Sequence, residues 1–131
     1  MNSFYRVIDA AANRGREAIR VLEDFVRFIC DDKQMTEKLK SLRHRFAAAV
    51  KSFSTDDRMT ARSTESDVGT DVTARDEYLR RSIREVIAAN FARFQESLRS
   101  IEEFSKLVLP SISAEIEQIR YASYTLERDV F

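Results

Sequence analysis

Residues 3–28 (SFYRVIDAAANRGREAIRVLEDFVRF) align without gaps on residues 82–107 (SIREVIAANFARFQESLRSIEEFSKL), an offset of 79. Nine of 26 positions are identical: Ser3/Ser82, Val7/Val86, Ile8/Ile87, Ala10/Ala89, Arg14/Arg93, Glu17/Glu96, Arg20/Arg99, Glu23/Glu102 and Phe25/Phe104. Average composition gives roughly one or two by chance. Each copy carries a largely apolar stripe at spacings of three and four: Ile8, Ala11, Gly15, Ala18, Leu22, Phe25 and Ile29 in the first, Ile83, Ile87, Asn90, Phe94, Ser97, Ile101, Phe104 and Val108 in the second. Each is followed by a further stretch of the same period, with Leu39, Leu42 and Arg43 matching Ile116, Ile119 and Arg120. Repeated amphipathic helices bury their stripes most simply against one another. The expected fold is therefore all-α, a four-helix bundle made from a duplicated helical hairpin, with approximate two-fold symmetry.

The expected boundaries follow from the punctuation. The first helix runs from about Ser3 to Ile29 and is interrupted at Cys30–Lys33; Thr36 is the expected N-cap of the second. Residues 52–73 hold nine Ser or Thr and one of the two glycines, which predicts a long loop, and such loops tend to be functional or disordered. Ser82-Ile83-Arg84-Glu85 reads as a capping box for the third helix, and the fourth starts at about Ile112. The whole is one domain over 1–131, with halves of about 3–54 and 82–130 joined by the 52–73 loop.

Composition excludes several classes of function. Equal numbers of basic and acidic residues, 22 of each, argue against nucleic-acid binding by bulk charge. Two glycines and one proline leave no glycine-rich phosphate loop. A lone cysteine and a lone histidine exclude a Cys/His zinc cluster, and the single cysteine fits a reducing cytoplasm. No apolar run reaches membrane-spanning length, and the N-terminus lacks a leader's basic and apolar regions. Of the 22 basic residues 17 are Arg, a bias that suits phosphate ligands as well as surface ion pairs.

Asn13, Glu17, Arg20 and Asp24 lie opposite the first apolar stripe, with Arg14 on its flank. They form either a surface ion-pair ladder or a charged face that the loop folds over, and Arg93, Glu96 and Arg99 repeat the pattern. Asn90 falls on the apolar stripe, where it either specifies helix register or lines a ligand cavity. His44 is a helix-surface or packed residue, a general base or a phosphate ligand. In the loop, Arg62, Gly69 and Thr70 can cradle an anion if Gly69 takes a positive φ, and Asp67 can hold Mg²⁺ through water.

The segments RVIDAAANRGREAIRVLEDFVRF, KLKSLRHRFAAAV, ARSTESDVGT, AANFARFQESLRSIEEFSKL and IRYASYTLE resemble, in that order, the small helical hydroxymethylpyrimidine-phosphate kinases of thiamine biosynthesis. This family is unrelated to the ribokinase-like enzymes of the same activity and is often fused in front of a thiamine phosphate synthase barrel. Its strongest marks are the Asn13–Asp24 run, Asp67–Thr70 and Ala89–Arg93. The resemblance implies ATP-dependent conversion of 4-amino-2-methyl-5-hydroxymethylpyrimidine phosphate to its diphosphate, with Mg²⁺. It implies phosphate contacts from Arg14, Arg20, Arg62, Arg93 and Arg99, metal contacts from Glu17, Glu96 or Asp67, and ring recognition by Asn90. Arg43 and His44 join the binding candidates. Two positions depart from the family pattern: Ala11 stands where an Asn is common, and Ser63 where an Asp is. With no barrel in this chain, the alternatives are a stand-alone enzyme or part of a longer one. Zero net charge and long amphipathic helices also suit a non-catalytic module that dimerises or docks onto a thiamine phosphate synthase. A ligand-sensing bundle, resting on Asn90, is a third reading.

Overall fold

A computed structural model describes residues 2–53, 55–70 and 79–131; Ser54 and residues 71–78, which include the end of the expected loop, lie outside the described residues. The described chain is all-α: α1 (Asn2–Asp24), continued by a π-helical turn at Phe25–Ile29, α2 (Lys33–Lys51), α3 (Thr55–Ala61), α4 (Ile83–Val108) and α5 (Pro110–Val130). No described helix is long and apolar enough to cross a membrane.

The four long helices form the bundle, in the order α1, α2, α5, α4 around its axis, and every neighbouring pair is antiparallel. Phe4 of α1 meets Phe104 of α4 at 6.1 Å between ring centroids. Glu23 joins α1 to Arg43 of α2, Arg45 joins α2 to Glu115 of α5, and Glu102 joins α4 to Arg120 of α5. The repeated helices α1 and α4 make the most extensive contact in the molecule. The matching ion pairs Glu23–Arg43 and Glu102–Arg120 within the two hairpins, and the contact of α1 with α4, agree with the two-fold relation expected from the repeat.

The stripes read from sequence form the core. Ile8, Ala11, Ile19, Leu22, Leu39, Phe46, Ile87, Phe94, Leu98, Ile101, Ile116 and Ile119 are all essentially buried. Phe46 of α2 crosses the bundle to pack edge-on against Phe94 of α4, with centroids 5.4 Å apart. Gly15 makes this close approach possible. A Cβ there would stand 2.5 Å from Ser97 Oγ and 2.9 Å from Phe46 Cζ, so only hydrogen fits.

Three boundaries differ from expectation, each for a local reason. The first helical stretch ends at Ile29 as expected, and Asp31 just beyond it takes the left-handed conformation, with φ of 51°; what differs is the cap of the next helix. The cap is Asp32, whose carboxylate accepts the Met35 N–H at 2.9 Å; the Thr36 hydroxyl instead donates back to the Asp32 carbonyl at 2.6 Å. The segment expected to be loop contains α3, whose Asp56 and Asp57 sit in the first turn, where the helix dipole favours negative charge. The last helix begins at Pro110, a residue suited to a first turn because it needs no N–H partner there. Before α4, Ser82 Oγ accepts the Glu85 N–H at 3.2 Å, and Glu85 reaches back to the Arg81 N–H at 2.7 Å.

Candidate functional site

Asp9 is only 3% exposed, one residue from the apolar stripe of α1. A carboxylate so placed destabilises the fold unless cations compensate it. Arg62 supplies two hydrogen bonds, Nε at 2.8 Å and Nη2 at 2.9 Å, and Arg58 Nη1 adds a third at 3.5 Å. The Asp9 hydrogen bond, and then its charge, raise the Arg62 pKa above the ordinary arginine value. This three-residue latch fastens α3 and the following segment onto α1. Periodicity gives no sign of it, because its partners come from residues far along the chain.

The latch separates two clefts. The first, of about 580 Å³, lies between α1 and α2 and is lined by Asn13, Arg16, Glu17, Arg20, Arg43, Lys51 and Arg58 around an apolar floor of Ala12, Phe46, Ala47 and Val50. Five cations and one carboxylate line the cleft, and Glu23 and Asp9 beside it offset part of that charge: Arg43 is held by Glu23 at 2.7 Å, Arg20 approaches the same glutamate at 3.7 Å, and Arg58 pairs with Asp9. Arg16 donates to Asn13 Oδ1 at 3.0 Å, and Arg20 and Lys51 stand at the mouth. The second cleft, of about 530 Å³, lies between α1 and the 62–67 segment; Arg6, Arg14, Arg62, Ser63, Thr64 and Asp67 contribute to it, and Asn13 lines both.

Of the residues expected at a site, Asn13, Glu17, Arg20 and Arg43 come together in the first cleft, and Arg14, Arg62 and Asp67 in the second. Arg93, Glu96 and Arg99 are solvent-facing on α4 and line neither. Arg99 pairs with Glu103 at 2.8 Å and Glu102 at 3.5 Å, the ladder arrangement. His44 is exposed on α2. Asn90 is half-buried rather than buried, and its amide donates to the Val86 carbonyl at 2.8 Å. Gly69 does not take a positive φ, and its N–H is donated to Asp67 Oδ1 at 2.8 Å. The Thr70 hydroxyl donates to the Asp67 carbonyl at 3.0 Å. The expected anion cradle at Gly69 is thus a turn capped by its own aspartate. Among the described residues no three His, Cys, Asp or Glu side chains gather as a metal-binding group. Arg16, Lys51 and Arg58 were not among the expected site residues.

The two hairpins differ where it matters. Arg16, Ala47 and Val50 of the first cleft correspond in the repeat to Gln95, Tyr124 and Glu127. In the second hairpin Gln95 donates to Glu127 at 3.0 Å and so bridges the groove between α4 and α5, while the Tyr124 hydroxyl accepts from Arg120 of its own helix at 3.3 Å. One hairpin keeps an open cationic cleft, and its copy carries a bridged groove.

Comparison with known proteins gives a consistent result. The model of the ThiD2 family matches residues 6–129. The chain is 40% identical over 126 residues to a thiamine-phosphate synthase of Nostoc punctiforme, covering 96% of this chain and 35% of that protein. The corresponding protein of Synechocystis sp. is 39% identical over 122 residues, covering 93% of this chain and 34% of its own length. That of Rhodopirellula baltica is 40% identical over 125 residues, covering 95% and 33%. The chain therefore spans about a third of the length of the curated relatives it matches. No solved structure matches it.

Proposed function

The chain belongs to the ThiD2 family, and on that premise we propose that it acts in thiamine biosynthesis as a kinase, transferring a phosphoryl group from ATP to hydroxymethylpyrimidine phosphate. The observation that carries this reading is the cleft between α1 and α2, where Arg16, Arg20, Arg43, Lys51 and Arg58 surround an apolar floor. Such a cleft suits a flat heterocycle bearing a phosphate. The ring packs on Phe46 and Val50, and the anionic group meets the cations at the rim.

The reaction asks little covalent chemistry of the protein. The acceptor is already an ionised phosphate, so no strong base is needed, and catalysis rests on positioning and charge stabilisation. Arg20 at the mouth of the first cleft, with Arg6 and Arg14 in the second, offset the charge gathered when two phosphorylated ligands approach. Asn13 stands between the two clefts and orients Arg16. Mg²⁺, which neutralises ATP phosphates when bound, commonly takes one or two carboxylates and completes its shell with phosphate oxygens and water. Glu17 and Asp67, one in each cleft, are the carboxylates that would hold it.

The test is a coupled assay of ADP release with ATP and Mg²⁺, run with hydroxymethylpyrimidine phosphate and with its unphosphorylated alcohol. Turnover with the phosphate supports the kinase. A second reading, a docking module for a thiamine phosphate synthase, draws on the length of the relatives and on Phe28 and Ile29, exposed side by side at the π turn. Folded protein with no turnover on either acceptor favours that reading.

A further inference from the structure

Arg58 carries a feature that the Asp9 latch does not explain. Its side chain is 13% exposed, its Nη1 reaches Asp9 at 3.5 Å, and its buried Nε has no hydrogen-bond partner among the described residues. A buried guanidinium N–H without an acceptor is destabilising, the more so because the group is charged. The contact with Asp9 runs through Nη1 alone and leaves Nε without an acceptor. The same Arg58 side chain lines the α1/α2 cleft, in which Glu17 is the one carboxylate. An orphaned donor and four other cationic side chains thus line one cavity.

We infer that Arg58 is a ligand-binding residue of this cleft, and that the acceptor completing its hydrogen bonding is an oxygen of a phosphate ester bound there. The inference rests on the site proposed above but not on the transfer of a phosphoryl group. It has a structural corollary. Because Arg58 belongs to α3, a phosphate in the cleft ties α3 to α1 and α2 together, adding a second anion to the one Asp9 provides. Ligand binding and docking of the 55–70 segment are then linked, each strengthening the other. In the other hairpin the groove is bridged by Gln95 and Glu127 instead.

The experiment is titration calorimetry on the whole chain without ATP, using hydroxymethylpyrimidine phosphate, its unphosphorylated alcohol and inorganic pyrophosphate as probes. Arg58→Ala is expected to weaken the two phosphorylated probes at least tenfold while changing the alcohol less than twofold. Arg62→Ala, which loosens the same latch but removes no donor from the α1/α2 cleft, is expected to weaken the phosphorylated probes through that linkage by several-fold less than Arg58→Ala does. Hydrogen exchange across residues 55–70 should slow when a phosphorylated probe binds the native chain, and not in the Arg58 variant. Equal loss in the Arg58 and Arg62 variants would make Arg58 merely part of the latch and overturn the inference. So would absence of binding by both phosphorylated probes to the native chain. Phosphate-dependent binding that needs Arg58, in a protein releasing no ADP, would sink the kinase reading alone.

Discussion

Glu102 accepts both ends of the Arg120 guanidinium, 2.5 Å from Nε and 3.1 Å from Nη2. Across the bundle, Glu23 holds Arg43 in the same way, at 2.7 and 3.4 Å. Both glutamates are buried, 5% and 2% exposed, and both belong to the identical positions of the repeat. The duplication has therefore preserved one forked ion pair per hairpin, each tying a repeated helix to the helix that follows it. The Glu102 contact, first through its hydrogen bond, raises the Arg120 pKa. The two pairs differ in surroundings: Arg43 lines the cationic cleft, whereas Arg120 packs beneath Tyr121 and Tyr124.

That difference separates stability from function. Removing one partner of a buried pair costs about 3–5 kcal/mol, a loss reduced here because Arg99 stays 3.5 Å from Glu102 and Arg20 3.7 Å from Glu23. Arg120→Ala is expected to lower the urea midpoint accordingly while leaving ADP release intact at a temperature where the variant is folded. Arg43→Ala should lower the midpoint similarly and also reduce kcat/KM at least tenfold. Urea denaturation followed by circular dichroism, with the coupled assay on the same samples, reads both.

Gly15 gives a second prediction about packing. Alanine there would push a methyl group against Ser97 Oγ and Phe46 Cζ. Overpacking of a close helix contact costs typically about 1–3 kcal/mol. Gly15→Ala should be destabilised by that amount, and adding Ser97→Ala should recover part of it by removing the nearer atom. A double-mutant cycle in urea measures the coupling; strict additivity would mean the helices separate instead.

The helices were legible because burial of a helix face is written directly in three- and four-residue spacing. Symmetry was legible because Glu23, Phe25 and their copies survive in register. The site was legible only in part. A helical wheel places Asn13, Glu17 and Arg20 on one face, but cannot say that α2 supplies the opposite wall. It also gives Arg93, Glu96 and Arg99 equal standing, since Glu127, which bridges their groove to Gln95, sits on α5, where the repeat retains little identity. Asp9 had no local signal: its cations lie on α3 and just beyond it, and α3 itself, TDDRMTA, has too few apolar residues to show a stripe. Tertiary pairing, not local preference, decides these features.

The asymmetry of the hairpins can be tested by substitution at matched positions. Arg20→Ala is expected to cut kcat/KM for hydroxymethylpyrimidine phosphate at least tenfold, with a midpoint shift under about 0.5 kcal/mol, as for an exposed residue. Arg99→Ala, its repeat equivalent, should leave turnover within twofold. Equal losses would show that both hairpins carry the activity. Ala47→Tyr introduces the residue that the second hairpin already accommodates, so it should block the cleft without unfolding the bundle.

Glu103 sets a small pH dependence whose sign is fixed. Its hydrogen bond from Lys106, and then the charge of Arg99, hold its pKa below the ordinary carboxylate value. A carboxylate depressed in the folded state stabilises above its unfolded pKa, and that contribution is lost as pH falls through the folded value. Glu103→Gln should therefore lower the thermal midpoint slightly at pH 6 and converge with the native protein below the folded pKa. A difference that persists at pH 2 would assign its effect to packing.

The latch makes the last prediction. Asp9→Asn keeps the shape of the side chain but removes the charge that Arg58 and Arg62 share. Both arginines can then swing toward water, so the loss is expected to appear as local opening of the 55–70 segment rather than global unfolding. Trypsin should cut after Arg58 and Arg62 at least tenfold faster than in the native chain, while exchange protection of α1 and α4 in the core remains. Because Asp9 touches no cleft-lining cation except these two, affinity for a phosphate ester should fall with the same variant. Unchanged cleavage would mean that Phe53 and Ala61, both 2% exposed, hold α3 in place without the ion pairs.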